Sequence, residues 1–288
     1  MDWFLIALIS AFCLASADAA QKHLFLNYTS LELLIVRFGI SGILLLPLFF
    51  INPMPPLEKG FILWMGLMVP LELLAMWLYV TAVRDSPLHL TVPYLAFTPV
   101  INILTGYLIL DESVSLLGAT GILVVVLGTY LLNTDTEHTH WLDPFKAVFK
   151  ETGSRKMLMA AVVYSLTSVG SKAAMQYTTP EIFGPTYFVV IGFAIIVIAL
   201  LYNPASLKVL THSYASHILV AGLMAAMVVT HFIAIAKVEV AYFITVKRTS
   251  LLFGIIFGAL FFKEPRLAKN LSAGVLMVTG VLFILVTE

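Results

Sequence analysis

Long apolar runs separated by short polar breaks make up almost the whole of this sequence. The runs lie near 3–22, 31–51, 60–83, 88–110, 114–133, 156–177, 184–202, 213–236, 240–262 and 269–287. At about 1.5 Å of rise per residue, a run of about twenty crosses roughly 30 Å of hydrocarbon as a helix. The pattern predicts an all-α integral membrane protein with about ten transmembrane helices. The runs are about twice the length of a barrel strand and lack its period-two alternation, which excludes a membrane barrel. The breaks carry turn chemistry: Asn52-Pro53 with Pro55-Pro56, Arg84-Asp85-Ser86-Pro87, Asn203-Pro204 and Lys263-Glu264-Pro265. One longer polar stretch, 134–155, sits in the middle, and its segment Asp143 to Lys150 has the face pattern of a short interfacial helix.

The order of the punctuation repeats. Shifted by 152 residues, Gly258 answers Gly106, Glu264 answers Glu112 and Gly280 answers Gly128, without a gap, although only 7 of 51 aligned pairs from Ala82/Ala234 onward are identical. This divides the chain into a five-helix unit at 1–133, a linker at 134–155 and a second five-helix unit at 156–288. Five is odd, so the second unit enters the bilayer the other way up, an architecture on which many secondary transporters are built.

Composition agrees with the pattern. Of 288 residues, 60% are hydrophobic and 11% charged, and the mean hydropathy is +1.00, more apolar surface than a soluble domain keeps from water. The formal net charge is zero, which points to no nucleic-acid or acidic partner, and the single Cys13 forms no internal disulfide. Ala15-Ser16-Ala17 imitates a signal-peptidase site, yet Met1-Asp2-Trp3 lacks the basic start of a signal peptide, so the first run is expected to stay as a helix. Lys and Arg fall ten to two on the loops of one face, which by the positive-inside rule puts the linker in the cytoplasm and both termini outside.

An ionisable side chain at bilayer depth costs at least roughly 2.5–3.5 kcal/mol on insertion scales, so each demands a partner or a water-filled cavity. The candidates are Asp18, Arg37, Glu72, Lys172, His217, His231, Lys247 and Arg248. Glu72 lies mid-span, on one helical face with Met65, Met68, Met76 and Tyr79, and the repeat register sets Met224 against Glu72 and His231 against Tyr79. It is a substrate or proton site, or a structural carboxyl bonded to a neighbouring helix. Asp18 is the second proton-coupling candidate and occupies nearly the depth of Lys172 in the other unit; both serve either the pathway or a fixed ion pair. Arg37 has a stem long enough to snorkel. Lys247 and Arg248 stand about 100° apart on a regular helix, so one is expected to line a cavity and the other to pair elsewhere, with Arg248 favoured because a guanidinium clamps a carboxylate by two hydrogen bonds. Gly254 and Gly258 form a GxxxG pair suited to close helix contact. Pro93 and Pro99 in the fourth span, Pro70 in the third and Pro47 in the second mark kinks that suit gates. Trp77, Tyr94 and Tyr242 are candidate cavity walls or lipid-facing residues.

In order along the chain, Thr29-Ser30-Leu31-Glu32 running into Arg37-Phe38, Ala82 with Pro87, Tyr94 to Pro99, Glu112 with Gly121 and Gly128, Lys172, Lys247-Arg248-Thr249-Ser250 and Glu264 with Gly280 resemble the EamA type of the drug/metabolite transporter superfamily. The resemblance covers nearly the whole chain as two copies, with Ala20 a departure at the register of Lys172. It implies a multi-pass carrier of the cell membrane that exports or exchanges small metabolites, amino acids among them, through a cavity between the halves, and cytoplasmic termini, opposite to the loop count. The acids in the first unit and all but one of the bases in the second, Arg37 being the exception, point to a small carboxylate-bearing or zwitterionic metabolite moved by alternating access, with protons as a coupling partner. The alternatives are a multidrug or lipophilic-cation exporter and a lipid-linked substrate flippase on the same scaffold. An intramembrane enzyme rests only on the His138 and Asp143 spacing, and no nucleotide, metal or cofactor motif is present.

Overall fold

In the computed structural model the residues described are 2–51, 58–86, 92–133, 151–262 and 267–287, and among them the secondary structure is helical with no strand. Ten helices follow: α1 Asp2–Leu24, α2 Ser30–Ile51, α3 Lys59–Asp85, α4 (Val92–Phe97 and Thr98–Leu110), α5 Leu116–Asn133, α6 Thr152–Ala174, α7 Pro180–Tyr202, α8 Tyr214–Ile235, α9 (Val240–Lys247 and Ser250–Phe262) and α10 Leu267–Thr287. Eight apolar stretches are long enough to cross a membrane, and α5 and α10 contribute shorter apolar helices. The interfacial helix expected at 143–150, the His138 and Asp143 pair, Pro87 and Glu264 lie outside the described residues.

Local chemistry sets the helix ends. Thr29 and Glu32 form a capping box at the start of α2: the Thr29 hydroxyl accepts from the Glu32 N–H, and the Glu32 carboxylate accepts from the Thr29 N–H at 2.7 Å. The Thr29 to Glu32 motif is therefore a helix start. At the far end of α4, Asp111 takes the left-handed conformation (φ 56°, ψ 26°), and the Glu112 N–H reaches back to the Gly106 carbonyl at 3.2 Å, a Schellman turn.

Three helices depart from regularity. α2 widens to a π-helical turn over Ile35–Ile40, which carries Arg37, and breaks again at Leu46-Pro47. α4 and α9 change character at matching positions: their regular segments, Thr98–Leu110 and Ser250–Phe262, are offset by the same 152 residues at both ends. α3, in contrast, runs unbroken through Pro70, where the sequence suggested an interruption. Pro93 lies in the first described turn of α4, so it helps begin that helix.

Packing exchanges the two halves. α1 lies along α8 and α6 along α3; α1 meets α9 and α6 meets α4; α2 pairs with α7, and α5 with α10. The α5/α10 crossing shows why the glycines recur. A methyl group on Gly121 would lie 2.6 Å from the Gly280 carbonyl oxygen, and one on Gly128 would lie 2.8 Å from the Ala273 carbonyl oxygen. Gly280 also crowds Val125, and Gly128 crowds Met277. Shifting each contact by 152 residues turns it into the other, as in an isologous interface. The GxxxG expectation fails at Gly254, which has no atom within 4 Å of an added methyl and so mediates no close crossing. Leu63, Phe193 and Leu260 are exposed on the bundle surface, as a lipid solvent allows, while Phe183, Met224, Ile235 and Phe243 fill the interior.

Candidate functional site

A cavity of about 640 Å³ opens between α1, α2, α3, α6, α8 and α9. Gln21 at the end of α1, Ser30 at the start of α2 and Val83 at the end of α3 line its mouth. Its floor is made by Tyr187, Phe188, Phe232 and Ile244, all buried, from the start of α7, the end of α8 and the start of α9. The face with the α1–α2 connection is thus the mouth, and the face with the α4–α5 connection is sealed.

Glu72, Asp18, Arg37, Tyr79, His231, Lys247 and Arg248 all reach this cavity. Their partners divide them into two kinds. Asp18 and Arg37 neutralise each other within the first half, at 2.6 Å from Arg37 Nη1 to Asp18 Oδ1, with Met224 Sδ 3.5 Å from Nη2. Lys247 donates to His231 Nδ1 at 2.6 Å and lies 3.4 Å from Met227 Sδ. Arg248 donates to the Leu95 carbonyl at 2.8 Å, and its Nε–H is buried with no partner. Among the described residues, neither Lys247 nor Arg248 has a carboxylate at ion-pair distance, and Glu72 has no cation; its Oε2 accepts from Tyr187 at 3.4 Å. The wall is lined by three basic side chains, Arg37, Lys247 and Arg248, and two carboxyl groups, Asp18 and Glu72. Such an arrangement can hold an anion in two directed hydrogen bonds and, across the cavity, a cationic group.

Proline chemistry explains where Arg248 sits. Pro99 has no N–H to donate to the carbonyl four residues back, so the Leu95 oxygen is free for the Thr98 hydroxyl at 2.9 Å and for Arg248. Pro99 therefore acts here by freeing an acceptor. Both Lys247 and Arg248 face the cavity, contrary to the expectation that one would turn away, because α9 tightens where they meet: the Thr249 N–H bonds the Val246 carbonyl at 2.9 Å.

The remaining candidates are placed elsewhere. Lys172 is absent from the cavity lining and forms an ion pair with Glu112 at 2.6 Å, because that carboxylate folds back within its reach. Trp77 is 58% exposed, on the outer surface with Lys156 over its ring, since it points away from the face that carries Glu72. Tyr94 is buried beside Leu78 and Met157, outside the cavity lining, and Tyr242 is buried in the sealed face. His217 is buried at the start of α8, where its Nε2 meets the Tyr28 hydroxyl at 3.0 Å. Sequence reasoning missed Tyr164, Thr167 and Tyr187 as wall residues, because a hydroxyl on an apolar helix carries no charge to draw notice.

Residues 1–134, from α1 through α5, match the model of the EamA-like transporter family. No curated protein matches in sequence. A solved structure described only as "Crystal structure of protein" is similar, at 13% identity over 99% of this chain and 97% of that chain, with a TM-score of 0.74; at that identity the likeness concerns the fold alone.

Proposed function

We propose that this chain is an EamA-type membrane transporter of the drug/metabolite superfamily and that it carries a small polar metabolite with a carboxylate, an amino acid or a related acid, by alternating access between its two five-helix halves. The observation that carries the cargo class is the pair of cavity cations, Lys247 and Arg248, with no carboxylate at ion-pair distance among the described residues. A guanidinium on the cavity wall fits a carboxylate that arrives with the cargo. Glu72, across the cavity and likewise without a cation, fits a substrate ammonium group or a coupling proton. Asp18 is the weaker proton site, since Arg37 already holds it.

The inverted arrangement of units 1–133 and 156–288 is supported by the interchangeable contacts of α5 and α10 and by the matched breaks in α4 and α9. Loop charge concentrates Lys and Arg on the mouth face, so the positive-inside rule has the cavity receive cargo from the cytoplasm of a cell-membrane protein, in keeping with export.

Flux in reconstituted proteoliposomes tests this reading. Amino acid or organic acid efflux should respond to an imposed pH gradient in the parent protein and lose that response in Glu72→Gln. Efflux indifferent to the gradient in both removes Glu72 as the coupling site. Flux of lipophilic cations with none of acids removes the cargo class.

A further inference from the structure

The sealed face is closed by a cluster of polar contacts that cargo binding does not use. Lys172, near the end of α6, donates to Glu112 Oε1 at 2.6 Å and to the Val238 carbonyl at 2.6 Å. The other oxygen of Glu112 accepts from the Val240 N–H at 2.8 Å, the first amide of α9, where a carboxylate also meets the positive end of the helix dipole. Beside it, the Tyr242 hydroxyl accepts from the Ser115 N–H at 3.1 Å and lies 3.3 Å from the Ser115 hydroxyl. One polar knot therefore joins the α4–α5 turn of the first half to α6, the α8–α9 turn and α9 of the second.

The chain is shaped to build this knot. The Schellman turn at Asp111 aims Glu112 back along α4, and a methyl group on Gly106 would stand 3.0 Å from Glu112 Oε2, so the glycine gives the folded-back carboxylate room that a side chain would crowd. Gly118 likewise leaves room for the Tyr242 ring, whose hydroxyl would lie 2.0 Å from an added methyl. The recurring glycine and glutamate, six residues apart, thus acquire a physical reason at Gly106 and Glu112.

We infer that the Lys172–Glu112 knot, with Tyr242 and Ser115, is the gate of the sealed face, and that it must part for the cavity to open there. It spans the two halves, so a relative movement of those halves must break it. It includes the α4–α5 turn itself, on the side of the cavity floor away from the mouth, with the Lys172 and Glu112 side chains 20% and 11% exposed, so its loss admits water from that face. At the register of Lys172, α1 carries Ala20, which has no ammonium to offer. This difference sets the resting protein with its mouth open and its opposite face shut. The inference rests on the two-faced cavity of the carrier reading but on no particular cargo.

Thiol accessibility tests it without substrate. In a Cys13→Ala protein, Ser168→Cys places one thiol on the cavity wall. A membrane-impermeant maleimide applied to vesicles of each orientation should label it readily from the mouth face and slowly from the sealed face. Glu112→Gln and Lys172→Met should each raise labelling from the sealed face by about tenfold or more, and Tyr242→Phe by about twofold to threefold, with native Cys13 still unreactive in a parallel set that retains it. Unchanged labelling from the sealed face, in variants whose mouth-face labelling proves them folded, overturns the gate. So does a rise accompanied by labelling of Cys13, which would report general loosening. If both charge variants aggregate, Tyr242→Phe decides alone: no rise overturns the gate. A cargo screen that finds no acid would leave these rates untouched, so the two readings fail separately.

Discussion

The cavity and the sealed face hold the same kinds of charge in opposite circumstances. At the sealed face the Lys172 ammonium has a carboxylate and a carbonyl, and the Glu112 carboxylate has an ammonium and an amide. In the cavity, Lys247 leans on an imidazole, Arg248 on one carbonyl, and Glu72 on the hydroxyls of Tyr187 and Thr167. Burying ions is costly in both places, but only the first set recovers the cost within the protein. A closed set of partners holds parts of the protein to one another, and an open set marks a place for something that comes and goes.

Removing a member of each set should separate them. The largest effect is expected for Arg248→Met: loss of a directed charge pair in a dry site costs roughly 2–4 kcal/mol of cargo binding, about 30- to 1000-fold in apparent affinity, with the thermal midpoint nearly unchanged. Flux titrations and a melting curve check both halves of that statement. Lys172→Met should do the reverse. Breaking a mostly buried pair costs about 3 kcal/mol of stability, read as a lower midpoint, and leaves cargo affinity within about threefold once the protein is folded. Asp18→Asn is expected to cost about 0.5 kcal/mol or less, because that carboxylate is more than half exposed and its pair is screened at the mouth. Trp77→Ala, on the outer surface, should change affinity by less than about twofold. An effect of Trp77→Ala as large as that of Arg248→Met would undo the distinction between inner and outer faces.

Much of the fold was legible because lipid imposes a simple rule on sequence: runs of about twenty apolar residues and short turns. Gly106, Glu112 and Gly128 stood out in the sequence, and each has a local physical reason, a folded-back carboxylate over Gly106 and close backbone contact at Gly128. What each charge does was harder to read. Lys172 and Glu112 are 60 residues apart, and nothing local to either announces the other. The pairing of Lys247 and Arg248 on one wall depends on a tightened turn that a regular 100° step does not foresee. Trp77 illustrates the converse, an aromatic whose composition fits a cavity wall and whose helical phase puts it outside.

The claim on which the account turns is that the cavity cations await a carboxylate. A ligand-dependent melting screen of the purified protein, run in parallel on Arg248→Met, tests it most directly. Amino acids or organic acids should raise the midpoint of the parent protein and not of the variant, while lipophilic cations raise neither. Stabilisation by lipophilic cations alone, or by acids equally in both proteins, would contradict it.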